Sequence, residues 1–402
     1  MSDDARSRTH LGDRVRHYRL LRGLSLRVCA DLAGISAGWL SRVERGERSL
    51  ERRSHIEALA AALQVSASEL LGLPYQASDR DHSAAHAELE GVRRVLIGTD
   101  LGGDGALETW RPLAELERMA ADARVALCRF GDVTTAAAGL TGLLAELHAH
   151  VAHGDRDRAL RALAFTGVTA STVVSWLGSP ELSWMAAGRA REAARALGDP
   201  TMIGLAEWRA VGAARPYSIA LSRVEAAASE LEDTVGEDTE RIQVLGMLHL
   251  HASMDSAVVG KPDTSRAHFA AATELAGRTV SGTDPFELYF GPENLAVWQL
   301  SIAVELGEPG RARAVARTLP AGAISSRMRR ATYYQDLGRA LAVDTRWREA
   351  AEALLTAERL SPAEIRVNAL ARGLAMDLLP RLPRAAGGIE IRALALRMGI
   401  IT

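Results

Sequence analysis

Lysine is all but missing from this 402-residue chain: Lys261 is the only one, and arginine supplies the other 47 of the 48 basic residues. The bias runs through the whole sequence and reads as compositional habit rather than as a local device. Aromatic residues make up only 4%, and β-branched residues are also scarce, which disfavours a sheet-rich fold. The two cysteines, Cys29 and Cys128, lie far apart in expected helix interiors. They exclude a disulfide framework and point to a reducing cytoplasm. No apolar run approaches the ~18 residues of a membrane span, and no apolar leader segment opens the sequence, so neither secretion nor membrane insertion is expected. Paired carboxylates and nucleophile–base–acid groupings are missing as well; no enzymatic activity, catalytic residue or cofactor is expected. The glycine run at Gly102-Gly103 and Gly105 lacks the Lys-Ser/Thr sequel of a phosphate loop and has no strand before it.

What remains is a chain that is 48% hydrophobic and dominated by Ala, Leu, Arg, Glu and Gly, which favours packed helices and an all-α fold. Formal charge is -2 overall, yet residues 1–75 hold twelve arginines against nine acidic residues. A local basic footprint on a near-neutral chain fits one nucleic-acid module attached to something else.

The stretch Gly34 to Gly46 focuses that footprint. Glycine at 34 allows the positive φ of a sharp inter-helix turn, and Ser36 offers a hydroxyl cap to the helix that follows. At about 3.6 residues per turn, Leu40 and Val43 fall on one side, while Ala37, Gly38, Ser41, Arg42 and Arg45 fall on the others. The preceding segment, with Ser25 as N-cap and Val28, Cys29, Leu32 and Ala33 as apolar positions, is also helical. Upstream, Leu11 to Leu21 predicts a helix with an apolar stripe of Leu11, Val15, Tyr18, Leu20 and Leu21, and with Arg14, Arg16, Arg19 and Arg22 on its solvent side. Two short helices joined by Gly-Ile-Ser make a helix-turn-helix. Glu44, one turn after Leu40 in a basic surround, is expected to pair with an arginine of the same domain.

Leu24-Ser25, Ala30, Ala33-Gly34-Ile35-Ser36, Leu40-Ser41, Val43-Glu44 and Gly46 resemble the Xre/Cro family of bacterial helix-turn-helix repressors. The run from Glu47-Arg48 through Ile56, Leu59, Leu63 and Val65 to Leu70 is similar to the fourth and fifth helices of that lambda-repressor-like domain. Leu26 and Cys29 depart from the family pattern, which often has glutamine and leucine there. The resemblance implies that the helix from Ser36 enters the major groove of double-stranded DNA, with Ala37, Gly38 and Arg42 at base edges and Trp39 at the groove wall, a domain edge or a dimer contact. Arg42 is the expected specific reader, pairing bidentately with guanine. Ser25, Arg27, Ser41, Arg45 and Arg48 are the expected phosphate contacts. Tight binding by so small a module normally takes two copies on a palindromic operator, so a homodimer is expected.

The helix-turn-helix domain is expected to occupy 1–75, a linker and connecting helix 76–111, and helical repeats 112–402. Six helix pairs are predicted, with second helices near Leu140–His150, Met185–Leu197, Ile219–Leu231, Ser265–Ala276, Arg311–Leu319 and Trp347–Leu360. A spacing of roughly 35 to 45 residues points to an α-solenoid. Tyr334, Leu337-Gly338, Leu341, Ala350, Leu354, Ala357 and Pro362 match the tetratricopeptide (TPR) pattern best. The whole chain resembles actinobacterial regulators that join an Xre-type domain to a TPR-like domain, which implies gene regulation. Against the scarcity of aromatics, Trp208, His249, Tyr289, Asn294, Trp298 and Tyr334 are candidate contacts for a small-molecule or peptide effector. Gap-filling between helices, or helix capping for Asn294, is the plainer role for each. His148, His150 and His153 do not suggest a metal site. The alternative to a ligand-responsive regulator is an interaction scaffold whose solenoid holds a protein partner, with DNA binding secondary.

Overall fold

The computed structural model describes residues 11–65, 67–71, 80–101, 109–213, 217–234, 236–279, 284–382 and 387–401. The expectations for residues 1–10, for most of the linker before Arg80 and for Gly102–Gly105 lie outside these. Among the described residues the protein is all helical, with no strand. It forms two compact units, one built from Met1–Gln76, Ala296–Ile324 and Arg329–Thr402, the other from Ala77–Leu295 and Ser325–Met328.

The first unit begins with five helices: α1 (Leu11–Leu21), α2 (Leu26–Leu32), α3 (Ala37–Glu44), α4 (Arg53–Leu63) and α5 (Ala67–Leu71). Serine caps start the second and third: Ser25 Oγ accepts from Val28 N, and Ser36 Oγ accepts from Trp39 N, both at 3.2 Å. Gly34, at φ 63°, makes the turn between them, where an L side chain would be strained. Leu11, Val15, Cys29, Leu40, Val43, Ile56, Leu59, Leu63 and Leu70 form the core, and Leu370 and Met376 complete it from a later helix, Ala369–Leu378. Leu20 and Leu21, expected in the apolar stripe of α1, are instead 59% and 64% exposed. The helix needs only one face buried, and its last turn runs past the core.

The second unit contains α6 (Arg80–Gly98), α7 (Leu113–Phe130), α8 (Val133–Ala137), α9 (Leu140–His153), α10 (Arg156–Trp176), α11 (Pro180–Leu197), α12 (Pro200–Ala213), α13 (Tyr217–Glu232), α14 (Thr239–Val258) and α15 (Pro262–Ala276). Arg80 to Ser83, expected in a linker, form the first turn of α6, since no glycine or proline interrupts the chain before Gly91. The chain continues through α16 (Pro292–Glu305), inside which the division between units falls, then α17 (Pro309–Thr318), α18 (Arg327–Val343), α19 (Trp347–Leu360), α20 (Pro362–Val367), α21 (Ala369–Leu378) and α22 (Ile389–Arg397). The six predicted second helices correspond to α9, α11, α13, α15, α17 and α19.

Four hairpins repeat one construction. Gly178, Gly260, Gly307 and Thr345 occupy the turn with φ of 83°, 77°, 77° and 60°. In three of them a proline two residues later opens the second helix at Pro180, Pro262 or Pro309, where its missing N–H costs nothing. Around Gly178, Gly260 and Thr345, the residues seven before and five after the turn are small where the helices cross, while the Gly307 hairpin has Leu300 and Ala312 there. Ser171 Oγ donates to Ser183 O, and Ser253 Oγ donates to Ser265 O, each at 2.8 Å. Gly338 faces Ala350 so closely that a Cβ at 338 would lie 3.2 Å from its carbonyl oxygen. The same local geometry thus recurs along the chain.

Candidate nucleic-acid interface

On α3 the packing separates an anchored set from a presented set. Leu40, Val43 and Glu44 are buried, whereas Gly38, Arg42, Arg45 and Arg48 are exposed and Ala37, Ser41 and Trp39 are half-buried. Ser25 and Arg27, on the preceding helix, are also exposed. Of the cationic side chains, Arg42, Arg27 and Arg48 carry no internal ion pair among the described residues, so their guanidinium donors are available to an incoming phosphate or base. Arg45 is engaged at the surface, donating to Glu47 at 2.6 and 2.9 Å and to Ser41 Oγ. An exposed pair of this kind is weak enough for a phosphate to displace.

Glu44 finds the arginine its position demands. Arg19 donates from Nε and Nη2 to its two carboxylate oxygens at 2.6 and 2.7 Å, and both residues are buried. Arg19 was expected on the solvent face of α1, and the structure corrects this. Arg14, half-buried, donates from Nε to Leu70 O at 2.8 Å, and Arg22, which stays exposed, donates from Nε to Leu63 O at 3.0 Å, so two of the four arginines satisfy the carbonyl ends of α4 and α5. Trp39 turns its ring toward α4, edge to face with His55 at 4.7 Å. Burial and the nearby Arg52 push the His55 imidazole down to about 4, so it is neutral near pH 7. Burial raises the Cys29 thiol above its ordinary range.

The segment after α3 is held by polar bonds from helices far along the chain. Arg381 donates to Gly46 O, and Leu50 N donates to Asp377 Oδ2 at 3.3 Å. At the start of α4, Arg53 N and Nη1 donate to the Glu305 carboxylate at 2.8 and 2.7 Å. The buried Arg339 bridges Glu305 and Asp336 at 2.6 and 2.7 Å and also donates to Glu51 O. Asp336 is held below its usual range by Arg339 and Arg53 against the opposing pull of burial. Sequence reasoning missed this network entirely.

Of the candidate effector contacts, Trp208, His249, Tyr289 and Asn294 belong to the second unit, and Trp298 and Tyr334 to the first. His249 meets His268 Nδ1 to Nδ1 at 3.0 Å and Glu232 at 3.1 Å. Asn294 is a brace, its amide donating to Leu288 O at 3.2 Å, while its Oδ1 has no partner. Tyr289 donates to Glu287. Tyr334 packs beside Tyr333 between two apolar clusters, and Trp298 lies under Arg329, 5.7 Å from its guanidinium. No group of three or more metal-ligating side chains occurs among the described residues.

Residues 10–71 match the family model of a helix-turn-helix domain. No curated protein matches the chain. The match and the geometry of α2 and α3 agree on a DNA-binding regulator. No described helix is long and apolar enough to cross a membrane.

Proposed function

We propose that the protein is a sequence-specific transcriptional regulator of the Xre type that binds a palindromic operator as a homodimer and takes its signal from a small molecule or peptide held by its TPR-like helical part. The observation that supports this most directly is the composition of the outer face of α3. Small residues at its N-terminal end, Ala37 and Gly38, let the helix approach base edges, and Arg42 stands one turn further on with an unengaged guanidinium. Exposed Arg27 and Arg48 supply positioning charge beside it. No catalytic role is assigned to any residue.

Enrichment from random double-stranded DNA, followed by gel-shift titration on the enriched site, tests the reading. Arg42→Ala should cost about 1–3 kcal/mol on that site and relax its preference at one base pair. Arg48→Ala should instead weaken all sequences alike and reduce the salt dependence by about one phosphate contact. Failure to enrich any sequence, or an Arg42→Ala protein with unchanged affinity and preference, would remove the proposed role of this face.

A further inference from the structure

Two arginines in the second unit, Arg124 and Arg209, form no ion pair among the described residues. Arg209, on α12, donates to Ser171 Oγ from Nε at 3.0 Å, and from Nη2 to Ser171 O and Ser183 Oγ at 3.1 and 3.0 Å. Among the described residues its Nη1 makes no hydrogen bond. Arg124, on α7, is 2% exposed and donates only from Nε, to Phe286 O at 3.0 Å. Its guanidinium carbon lies 6.0 Å from the centre of the Trp208 ring. The Trp208 indole N–H is buried and has no acceptor among the described residues. His251 meets that ring edge-on, with 5.7 Å between ring centres.

The charge of Arg124 reaches Asp284, where it opposes the burial that raises that carboxyl, but the oxygens of Asp284 are taken by backbone amides. Asp284 accepts from Leu288 N and Tyr289 N at 2.9 and 2.7 Å, and Glu287 accepts from the Tyr289 hydroxyl. Burial, and then the like charge of Arg124, lower the Arg209 pKa to about 10. Arg209 therefore remains a cation at neutral pH, and it keeps some accessible surface. Two guanidiniums near enough to oppose each other, one of them buried, are costly unless an anion joins them.

A bracing role for Arg209 does not account for it. The sister hairpin makes the same crossing, with Ser253 Oγ to Ser265 O at 2.8 Å and the two hydroxyls 3.1 Å apart, and no arginine takes part. The serine crossing is thus complete without a guanidinium, and Arg209 is additional to it.

We propose that Arg124, Arg209 and the Trp208 indole N–H form a binding site for the carboxylate or phosphate group of a small effector. The guanidinium donors left unbonded match the oxygens of either group, and the indole ring offers an apolar wall for what the group is attached to. This deepens the effector half of the proposed function and rests on it for its regulatory meaning, but the test reads anion binding without DNA.

Thermal unfolding and calorimetric titration of the full-length chain with inorganic phosphate, and separately with succinate, would be compared with chloride at equal ionic strength. The parent protein should be stabilised saturably by at least one of the two, and the stronger arm identifies phosphate or carboxylate as the recognised group. Arg209→Met and Arg124→Met should each weaken that anion at least tenfold. Trp208→Phe, which keeps a ring and loses the donor, should weaken it about threefold. In chloride alone, Arg209→Met should unfold no lower than the parent, because an uncompensated charge has been removed. The proposal is overturned if neither anion acts differently from chloride on the parent, if the arginine variants respond as the parent does, or if Arg209→Met unfolds several degrees lower in chloride, the mark of a brace.

Discussion

Glu44 sits on the side of α3 that also carries Leu40 and Val43, so its carboxylate enters the core with them. A buried carboxylate needs a cation with matched geometry, and the bidentate fork of Arg19 provides one. Removing either partner alone leaves the other charge stranded: Arg19→Met or Glu44→Gln should destabilise the five-helix domain by about 3–5 kcal/mol. The double replacement Arg19→Met with Glu44→Leu should recover most of that loss, because two apolar groups strand nothing. Amide exchange in α1 and α3 of the full-length protein measures both effects, and singles within 1 kcal/mol of the parent would show the pair to be incidental. The need for this partner was legible in the sequence, since an acid on an apolar helix face calls for a base. Which arginine would answer was not. Four arginines on α1 fit a solvated face equally well, and only the crossing of α1 with α3 brings Arg19 to Glu44. The same limit hid Arg124 and Arg209, since an arginine in an amphipathic helix gives no sign of whether a carboxylate will meet it.

At the scale of elements, the hairpins were legible because their punctuation is covalent: a residue of positive φ, a proline two places on, and small residues at the crossing all show in the sequence. The fourth hairpin departs from the pattern with Thr345 at φ 60°, exposed at the turn. A β-branched residue in this conformation costs of order 1–3 kcal/mol. Glycine would relieve that cost and lose about 0.5–1 kcal/mol through its freer unfolded chain. The first effect should win, so Thr345→Gly is expected to stabilise the α18–α19 hairpin by about 1 kcal/mol. Urea unfolding followed by amide exchange in these two helices checks the sign, and a destabilised variant would mean that the threonine is unstrained. The serine caps of α2 and α3 were likewise readable, as were the helix boundaries they set. The exposed end of α1 was not, because periodicity alone does not say where a core stops.

On the scale of the whole molecule, the helix-turn-helix core extends beyond its own sequence. Leu370 and Met376 of α21 fill it, and Asp377, Arg381, Arg339 and Glu305 bind the backbone between α3 and α4. Leu50 and Asp377 are 327 positions apart, and nothing local in either stretch announces the other. This junction also carries a pH dependence. Burial and the neighbouring Asp377 push the Glu51 carboxyl up to about 8, and burial raises Asp377 to about 6. Groups raised in the folded state bind protons more tightly than in the unfolded chain. Their contribution is therefore fully present below the ordinary carboxylate range and is lost as pH rises, through about 6 for Asp377 and about 8 for Glu51. Thermal stability of the first unit should fall between pH 5 and 9, and Glu51→Gln should flatten the upper part of that fall. A native profile that is level over this range would contradict the assignment.

Completion of that core has a temporal side. Synthesis runs from the first residue onward at about 5–20 residues per second, so α1 to α5 leave the ribosome about 15–60 seconds before the roughly 300 residues that separate them from α21 have been added. Throughout that interval Leu11 and Leu71, which α21 will cover at Gly373, have no lid, and the backbone at Gly46 and Leu50 lacks its Arg381 and Asp377 partners. The domain that emerges first is the one that must wait for late residues, and a nascent or prematurely terminated chain presents α3 on an unfinished support.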